Sequence, residues 1–415
     1  MEPNNENLHI CANRGPFPGR SAELKAEIAR EFTGTLERVA GIKPEARQVL
    51  FIEIELHDWI VAGKPYGSPP KRDDDMEDAA ARDMRIKFKD LELLLSKIFT
   101  RHGVAEANAS ILASNCAGCE RDGSISHGIF RMPGYVASLE SGWVNGTAIP
   151  ELEDVGPAYR RVDARNGFAQ PALVAAMPWL IETAHSQGVA VVAIRDSHHF
   201  SALWPDLEPL ARDGLVALSM VSGLACVAPP GGTQPVFGTN PIAFATPVAG
   251  TDPMIWDFAT SAMSNGDLRI AAREGHSVPL GTGIDASGDL SDNPAAILAG
   301  GALLPFGGHK GAALSLMVEI LASALTGGQF SSEVDFSRHS GAETPKTGQL
   351  IIAIDPARGG NDHFTARVAQ LVDAVRSAGQ PRLPSDRRYK TRRASQAEGI
   401  LIETATYEKL LSYIE

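Results

Sequence analysis

Four cysteines in 415 residues are too few for a disulfide framework, and they stand at Cys11, Cys116, Cys119 and Cys226. Cys116 and Cys119 have CxxC spacing but no second ligand pair. They fall inside a helical pattern over 105–120, so buried structural cysteines are expected. No Lys/Arg-rich block is present and the net charge is -12, which argues against a nucleic-acid partner. The longest apolar run, 312–325, carries Glu319 and is too short to span a bilayer, so no membrane partner is expected. The opening Met1-Glu-Pro-Asn4 lacks the basic and apolar regions of a secretory signal, and a cytoplasmic protein is expected. HExxH is absent, and no metal is assigned. The fingerprint Gly-x-Gly-x-x-Gly is also missing. Gly281-Thr-Gly283 is followed by Ile284, Asp285 and Ala286, and Gly307-Gly-His-Lys-Gly311 has no Ser or Thr after its lysine. A dinucleotide would have to be held by another route.

What is there suits a globular protein: 44% hydrophobic and 21% charged residues, over a length fit for two or three domains. Residues 1–68 read as one β-α-β unit. A strand at 8–12 precedes a helix in which Leu24, Ile28, Phe32, Leu36 and Val39 repeat, with Ser21 as cap and Gly41 as stop; the alternating run 49–56 follows. Residues 69–84 combine proline with dense charge and read as a linker. Residues 85–415 alternate helical patterns (88–98, 106–120, 310–325) with apolar strands (188–195, 215–221, 349–354), which predicts a mixed α/β domain.

The chemistry gathers around 121–135. Ser126, His127 and Arg131 offer a hydroxyl, an imidazole and a guanidinium within six residues. A helix opening at Ser126 would place His127 and Arg131 on one face as an i, i+4 pair, a proton donor beside an anion clamp. The run Ser197-His-His-Phe-Ser201 follows a buried strand, where polar groups often face a site. The turn-rich Phe237-Gly-Thr-Asn-Pro-Ile242 offers Thr239 and backbone amides to an anion. Beyond Trp256-Asp-Phe-Ala-Thr-Ser261 comes Asn265-Gly-Asp267, whose carboxylate could orient a histidine.

Taken together these segments resemble the malate/L-lactate dehydrogenase type-2 family of NAD(P)H-dependent oxidoreductases. The resemblance runs from about Arg85 onward and rests on Ser126-His-Gly, Arg131, Ser197-His-His-Phe, Phe237-Gly-Thr-Asn-Pro, Asp257-Phe-Ala-Thr-Ser, Gly308-His-Lys-Gly and Leu325-Thr-Gly. Within that family, the runs His199–Asp206, Gly300–Lys310 and Arg382–Arg388 are similar to the Δ1-piperideine-2-carboxylate/Δ1-pyrroline-2-carboxylate reductases. The resemblance implies a non-Rossmann dinucleotide-binding fold, a homodimer, and NADPH-dependent reduction of cyclic imino acids to L-pipecolate or L-proline. It implies His127 as proton donor, assisted by Ser126 and Asp267. Arg131, Thr239, Asn265 and Gly266 would meet the substrate. His199, Phe200, Ser201, Ala202, Leu203, Asp257, Phe258, Ala259, His309, Lys310, Arg382, Leu383, Pro384, Ser385, Asp386, Arg387 and Arg388 would meet the cofactor. One position departs: these reductases usually carry His-Gly-Asp where this chain has Asn265-Gly-Asp267. An imidazole near the substrate thus becomes a neutral amide, which bears on substrate range and pH profile. A 2-hydroxy-acid dehydrogenase of the same family is the alternative reading.

The first unit resembles half of a tautomerase-superfamily domain, in the run 19–25, the strand 49–55 and the region of Trp59. Such enzymes use an amino-terminal proline as base. Here Pro3 follows Glu2, so it is an amide unless two residues are trimmed. A docking or oligomerisation module is expected, with tautomerase or isomerase activity as the alternative.

Overall fold

The computed structural model describes residues 83–360 and 363–415, and ahead of them 8–13, 49–54, 60–61, 64–65 and a few helical positions between 27 and 38. The chain divides into two compact units, Met1–Arg82 and Asp83–Glu415.

In the first unit, strands Leu8–Asn13 and Val49–Ile54 pair in parallel, with Leu8 opposite Val49 and Asn13 opposite Ile54. Parallel neighbours need a crossover, and the helical positions between 27 and 38 fall in the chain that makes it. The β-α-β order expected from the apolar spacing is therefore present. A two-residue pair, Ile60–Val61 with Lys64–Pro65, follows. The readings placed on Ser21, Gly41, Trp59 and Pro3, and residues 69–82 of the expected linker 69–84, lie outside the described residues; the last two linker positions, Asp83 and Met84, belong to a strand.

The second unit is built on a seven-stranded sheet. Its strands in chain order are β1 (Glu151–Gly156), β2 (Tyr159–Phe168), β3 (Val189–His198), β4 (Val216–Val221), β5 (Ile242–Thr246), β6 (Met254–Phe258) and β7 (Lys346–Ile354). Across the sheet they run β6-β5-β4-β7-β3-β2-β1. Only β2 and β3 are parallel; every other pair is antiparallel. The mixed α/β expectation is met, on a sheet far from the all-parallel dinucleotide type, which accounts for the missing glycine fingerprint.

Helices α1 (Phe88–Arg101), α2 (Glu106–Arg121) and α3 (Met132–Glu140) share one buried cluster with Ile86, Ile400 and Ile402. Leu91, Leu95 and Ile98 of α1 are fully buried at the spacing that predicted the helix. Strand Asp83–Ile86 pairs with Ile400–Glu403, tying the start of this unit to its end. Helix α4 (Ala169–Gln187) makes the β2-to-β3 crossover and stops at Gly188, whose φ of 90° only glycine adopts cheaply. Helix α5 (Trp204–Arg212) packs Leu207 and Leu210 against the sheet. The remaining α-helices of eight residues or more are α6 (Asn265–Glu274), α7 (His309–Val318), α8 (Phe364–Ser377), α9 (Asp386–Glu398) and α10 (Thr404–Leu411). The helix expected over 310–325 is α7 followed by a wider π-helical stretch, Glu319–Ala324. Cys116 and Cys119 are buried and unbridged, as expected of structural cysteines.

Candidate active site

Helix α2 ends at Arg121, and the chain then makes a tight passage to α3. The cap residue Asp122 is wholly buried and is held from both sides, by Arg121 Nε at 2.7 Å and by Arg392 Nε at 3.0 Å. Two single 3-10 turns follow, Ile125–His127 and Ile129–Arg131, and α3 starts only at Met132 with Pro133 in its first turn. The α-helix expected from Ser126 is therefore not formed. Gly128, at φ -91° and ψ -136°, breaks it, so His127 and Arg131 are not a helical i, i+4 pair. They converge by another means. Arg131 Nε donates to the Ser126 carbonyl at 2.8 Å, and Ser126 Oγ lies 3.1 Å from His127 Nδ1. The Arg131 guanidinium also stacks over the Phe200 ring, 4.4 Å from its centre.

The other walls come from distant segments. Asn240, in the left-handed region at φ 42°, is buried and donates to the Ser315 carbonyl and to Glu319. That anchors the turn carrying Thr239. Ser264 caps α6 by accepting the Asp267 N–H at 3.0 Å. Gly266 is needed for fit: a Cβ there would lie 3.0 Å from Arg131 Nη2 and 3.3 Å from Ser126 Cβ. Asp267 faces the same cavity as His127, and its charge is among those that favour the charged form of Arg131. Among the described contacts its carboxylate makes no hydrogen bond to His127. Asp257, at the end of β6, accepts the N–H groups of Leu203 and Trp204 at 3.0 and 3.3 Å. Its second oxygen faces Arg388 at 3.7 Å.

The two adjacent histidines have different surroundings. His198 is enclosed, with Nδ1 3.0 Å from Thr344 Oγ1 and Nε2 3.1 Å from Asn166 Oδ1. Burial pushes its pKa down to about 3, so it is a neutral core residue. His199 instead pairs with buried Asp206 at 3.0 Å.

These groups line a cavity of about 760 Å³, walled by Ser126, His127, Ser201 to Leu203, Thr239, Asp257 to Ala259, Asp267, Arg387 and Arg388. A small recess of about 100 Å³ shares His127, Ser201 and Thr239 with it and adds Arg131, His199, Phe200 and Asn265. In the other direction Arg387 and Arg388 lead to a chamber of about 360 Å³ walled by Arg382, Leu383, Pro384 and Ser385. Asp386 turns back to accept the Leu383 N–H at 2.9 Å. His309 and Lys310 are exposed at the start of α7 and line none of these three spaces.

The recess also holds an ion pair that the sequence reading did not single out, Arg269 Nη1 to Glu343 Oε2 at 2.7 Å. Arg269 could have been found, since it stands one helical turn after Asn265. Glu343 lies in a loop with no motif, and only the fold brings it here. Asp206, partner of His199, closes the run His199–Asp206, where residue type alone assigns it no role.

Burial and the neighbouring Arg131 charge hold His127 down at about 3, so its imidazole is neutral in the free cavity. The pKa near neutrality expected of a proton donor is thus not that of the unliganded site. Burial also weighs on Arg131, lowering it to about 10, which still leaves it charged at neutral pH.

A recess with one fixed cation and one imidazole suits a small carboxylate. The long arginine-edged space beside it suits a dinucleotide held without a glycine loop. Those are the parts of a nicotinamide-dependent oxidoreductase. Residues 86–411 match the family model of malate/L-lactate dehydrogenase, and the chain belongs to that family. A curated relative, the Δ1-pyrroline-2-carboxylate/Δ1-piperideine-2-carboxylate reductase of Pseudomonas syringae pv. tomato, is 58% identical over 325 residues, 78% of this chain and 95% of the relative. The protein of the same description from Pseudomonas putida is 56% identical over 319 residues, covering 77% and 94%. The crystal structure of Δ1-piperideine-2-carboxylate reductase from P. syringae superposes with a TM-score of 0.78 at 57% identity, covering 80% of this chain and 99% of that one. Residues 16–68 match the tautomerase enzyme model.

Proposed function

We propose that the second unit reduces the C=N bond of cyclic imino acids, Δ1-piperideine-2-carboxylate to L-pipecolate and Δ1-pyrroline-2-carboxylate to L-proline, with NADPH. The observation that carries this is the joint placement of Arg131 and His127. A charged guanidinium, fixed by Ser126 and Phe200, opens into the same recess as an imidazole. A ring with a carboxylate beside its C=N needs both groups.

The nicotinamide, when bound, supplies the hydride. The chain's own residues do the rest. Arg131 holds the carboxylate and limits the ring to one presentation. Thr239, at the junction of recess and main cavity, is the second substrate contact. His127 delivers a proton to the ring nitrogen, with Ser126 on its Nδ1 side and Asp267 across the cavity. The substrate carboxylate offsets the Arg131 charge that depresses His127, so loading the site makes the imidazole a better proton carrier. The cofactor lies along Ser201 to Leu203 and Asp257 to Ala259 towards Arg382–Arg388. Because Arg388 is engaged with Asp257 and the Ile255 carbonyl, exposed Arg387 is the better candidate for a 2′-phosphate. Asn265 and Gly266 complete the substrate wall.

The protein acts as a homodimer in the cytoplasm. Exposed Leu316 and Ile320, one turn apart after His309 and Lys310, together with Leu325, support a covered face there. Residues 1–68 serve as a docking or oligomerisation module.

Steady-state oxidation of NADPH with both cyclic imines, beside a panel of 2-keto acids, tests the assignment. Turnover of imines with kcat/KM well above that of any keto acid is expected. The reverse order makes the chain a 2-hydroxy-acid dehydrogenase.

A further inference from the structure

Beneath the catalytic turn lies a carboxyl group with no part in the steps above. Glu120, in the last turn of α2, is buried, and its Oε2 accepts the Ile129 N–H at 2.9 Å. The same oxygen occupies the space a side chain at position 128 would need: a Cβ on Gly128 would come within 2.0 Å of it. The glycine of Ser126-His-Gly128 is therefore matched to this carboxyl group. One residue before the contact is His127, and two residues after Ile129 is Arg131. Both functional side chains hang from the segment that Glu120 grips.

We infer that Glu120 is a positioning residue for the reaction: its carboxylate clamps the Gly128–Ile129 backbone and so sets how His127 and Arg131 are presented to the substrate. This rests on the function proposed above. A charged acceptor binds an N–H more strongly than a neutral one. The clamp is tightest when Glu120 is ionised.

The surroundings make that ionisation a near-neutral event. Burial raises the Glu120 pKa to about 7, and the Ile129 N–H is what opposes the rise. On its own helix Cys116 lies one turn back, and the turn contributes His127 and Arg131. Cys116 feels the charges of both Glu120 and Arg131, and Tyr135 on α3 feels Cys116 and Arg131. From α9, Arg392 is spent on Asp122 and Glu208. The buried residues of α1 are apolar. No ion pair to Glu120 occurs among the described residues. By contrast His127, at about 3 in the free site, gives no step near neutrality there.

The test compares the wild type with Glu120→Gln and Glu120→Ala in the full-length protein. Glutamine keeps an acceptor for the Ile129 N–H but never ionises. We expect wild-type kcat to rise through about pH 7 on its acid side, and this rise to vanish in Glu120→Gln. At pH 8 that variant should lose about threefold to tenfold in kcat, with a parallel rise in substrate KM. Glu120→Ala should lose at least as much, and in a His127→Ala background Glu120→Gln should add little. A step near pH 7 that survives in Glu120→Gln overturns the inference, as does a folded Glu120→Ala with wild-type kcat and KM. Wild-type turnover is measured first on both substrate classes. Failure with cyclic imines disposes of the proposed substrate alone, since the effect of Glu120 is read on whichever class is turned over.

Discussion

His199 Nε2 lies 3.0 Å from Asp206 Oδ2, and both side chains are 97% withdrawn from solvent at 3% exposure. The same oxygen accepts from Gln349 Nε2 at 2.8 Å. Asp206 thus ties the end of β3 to α5 and β7 at the back of the active-site wall.

Asp206→Asn should therefore destabilise the second unit. It alters the buried oxygen that meets His199 and accepts from Gln349, and leaving a buried polar group unmatched costs about 1–3 kcal/mol. Because His199 lines the recess beside Arg131, the loss should appear as a lower denaturant midpoint together with a raised KM for the cyclic imine. Chemical denaturation and steady-state kinetics on one preparation check both. An unchanged midpoint would mean that the buried contacts to His199 and Gln349 add little to stability.

The neutral state of free His127 leads to a proton balance on binding. The second-largest cause of its low pKa, after burial, is the Arg131 charge. A ligand carboxylate on Arg131 removes much of that effect. The complex then holds protons more tightly than the free protein, and binding strengthens as pH falls. Pyridine-2-carboxylate, a flat ring acid, should bind with net proton uptake, read by calorimetry in two buffers of different ionisation enthalpy. His127→Ala should abolish the uptake and lower kcat by about 100-fold or more. Equal heats in both buffers for the wild type would place the proton elsewhere.

Cofactor choice should reside in Arg387. It borders both the main cavity and the Arg382–Ser385 chamber and has no ion-pair partner among the described residues, whereas Arg388 is engaged with Asp257. Arg387→Ala should raise the KM for NADPH by about tenfold to a hundredfold, the range for a lost hydrogen bond to a charged group. The KM for NADH should change little. Parallel loss with both nucleotides would assign Arg387 to the shared pyrophosphate instead.

Ser126, His127 and Arg131 are legible as a cluster because they lie in one short run, whereas Thr239 reaches the same cavity only through the fold. The error at Ser126 has a physical cause. Helical spacing was read across Gly128, whose close contact with Glu120 is a tertiary fact that a linear pattern does not contain. Glu343 was invisible for the same reason: its loop reaches the recess through the Ser138 hydroxyl, which accepts its backbone N–H at 2.9 Å. Three of the seven strands are legible as the apolar runs 188–195, 215–221 and 349–354; the other four, and the mostly antiparallel order, are not, because apolar runs alone do not reveal strand direction. His309 and Lys310 line none of the three spaces, so their expected cofactor role rests on the motif alone.

Glu120 should also leave a signature in stability, of opposite sign to its role in activity. Its pKa is raised from the ordinary carboxyl value to about 7 in the folded protein. Between the unfolded value and about 7 the folded state binds more protons than the unfolded one, so stability falls as pH rises through that window. Below it, both states hold the proton and no penalty exists. Above pH 7 the full penalty is present, on the order of 3 kcal/mol for a shift of this size. Glu120→Gln is neutral throughout and escapes it. The variant should match the wild type at pH 4.5 and exceed it at pH 8, with the difference growing across pH 5–7. Denaturant midpoints at four pH values measure this directly. A constant difference would show that the carboxyl group does not change charge in that range, and the acid limb of turnover would then need another owner. A growing difference together with slower turnover would show that the fold retains a destabilising acid for the hold it gives on the backbone beside His127.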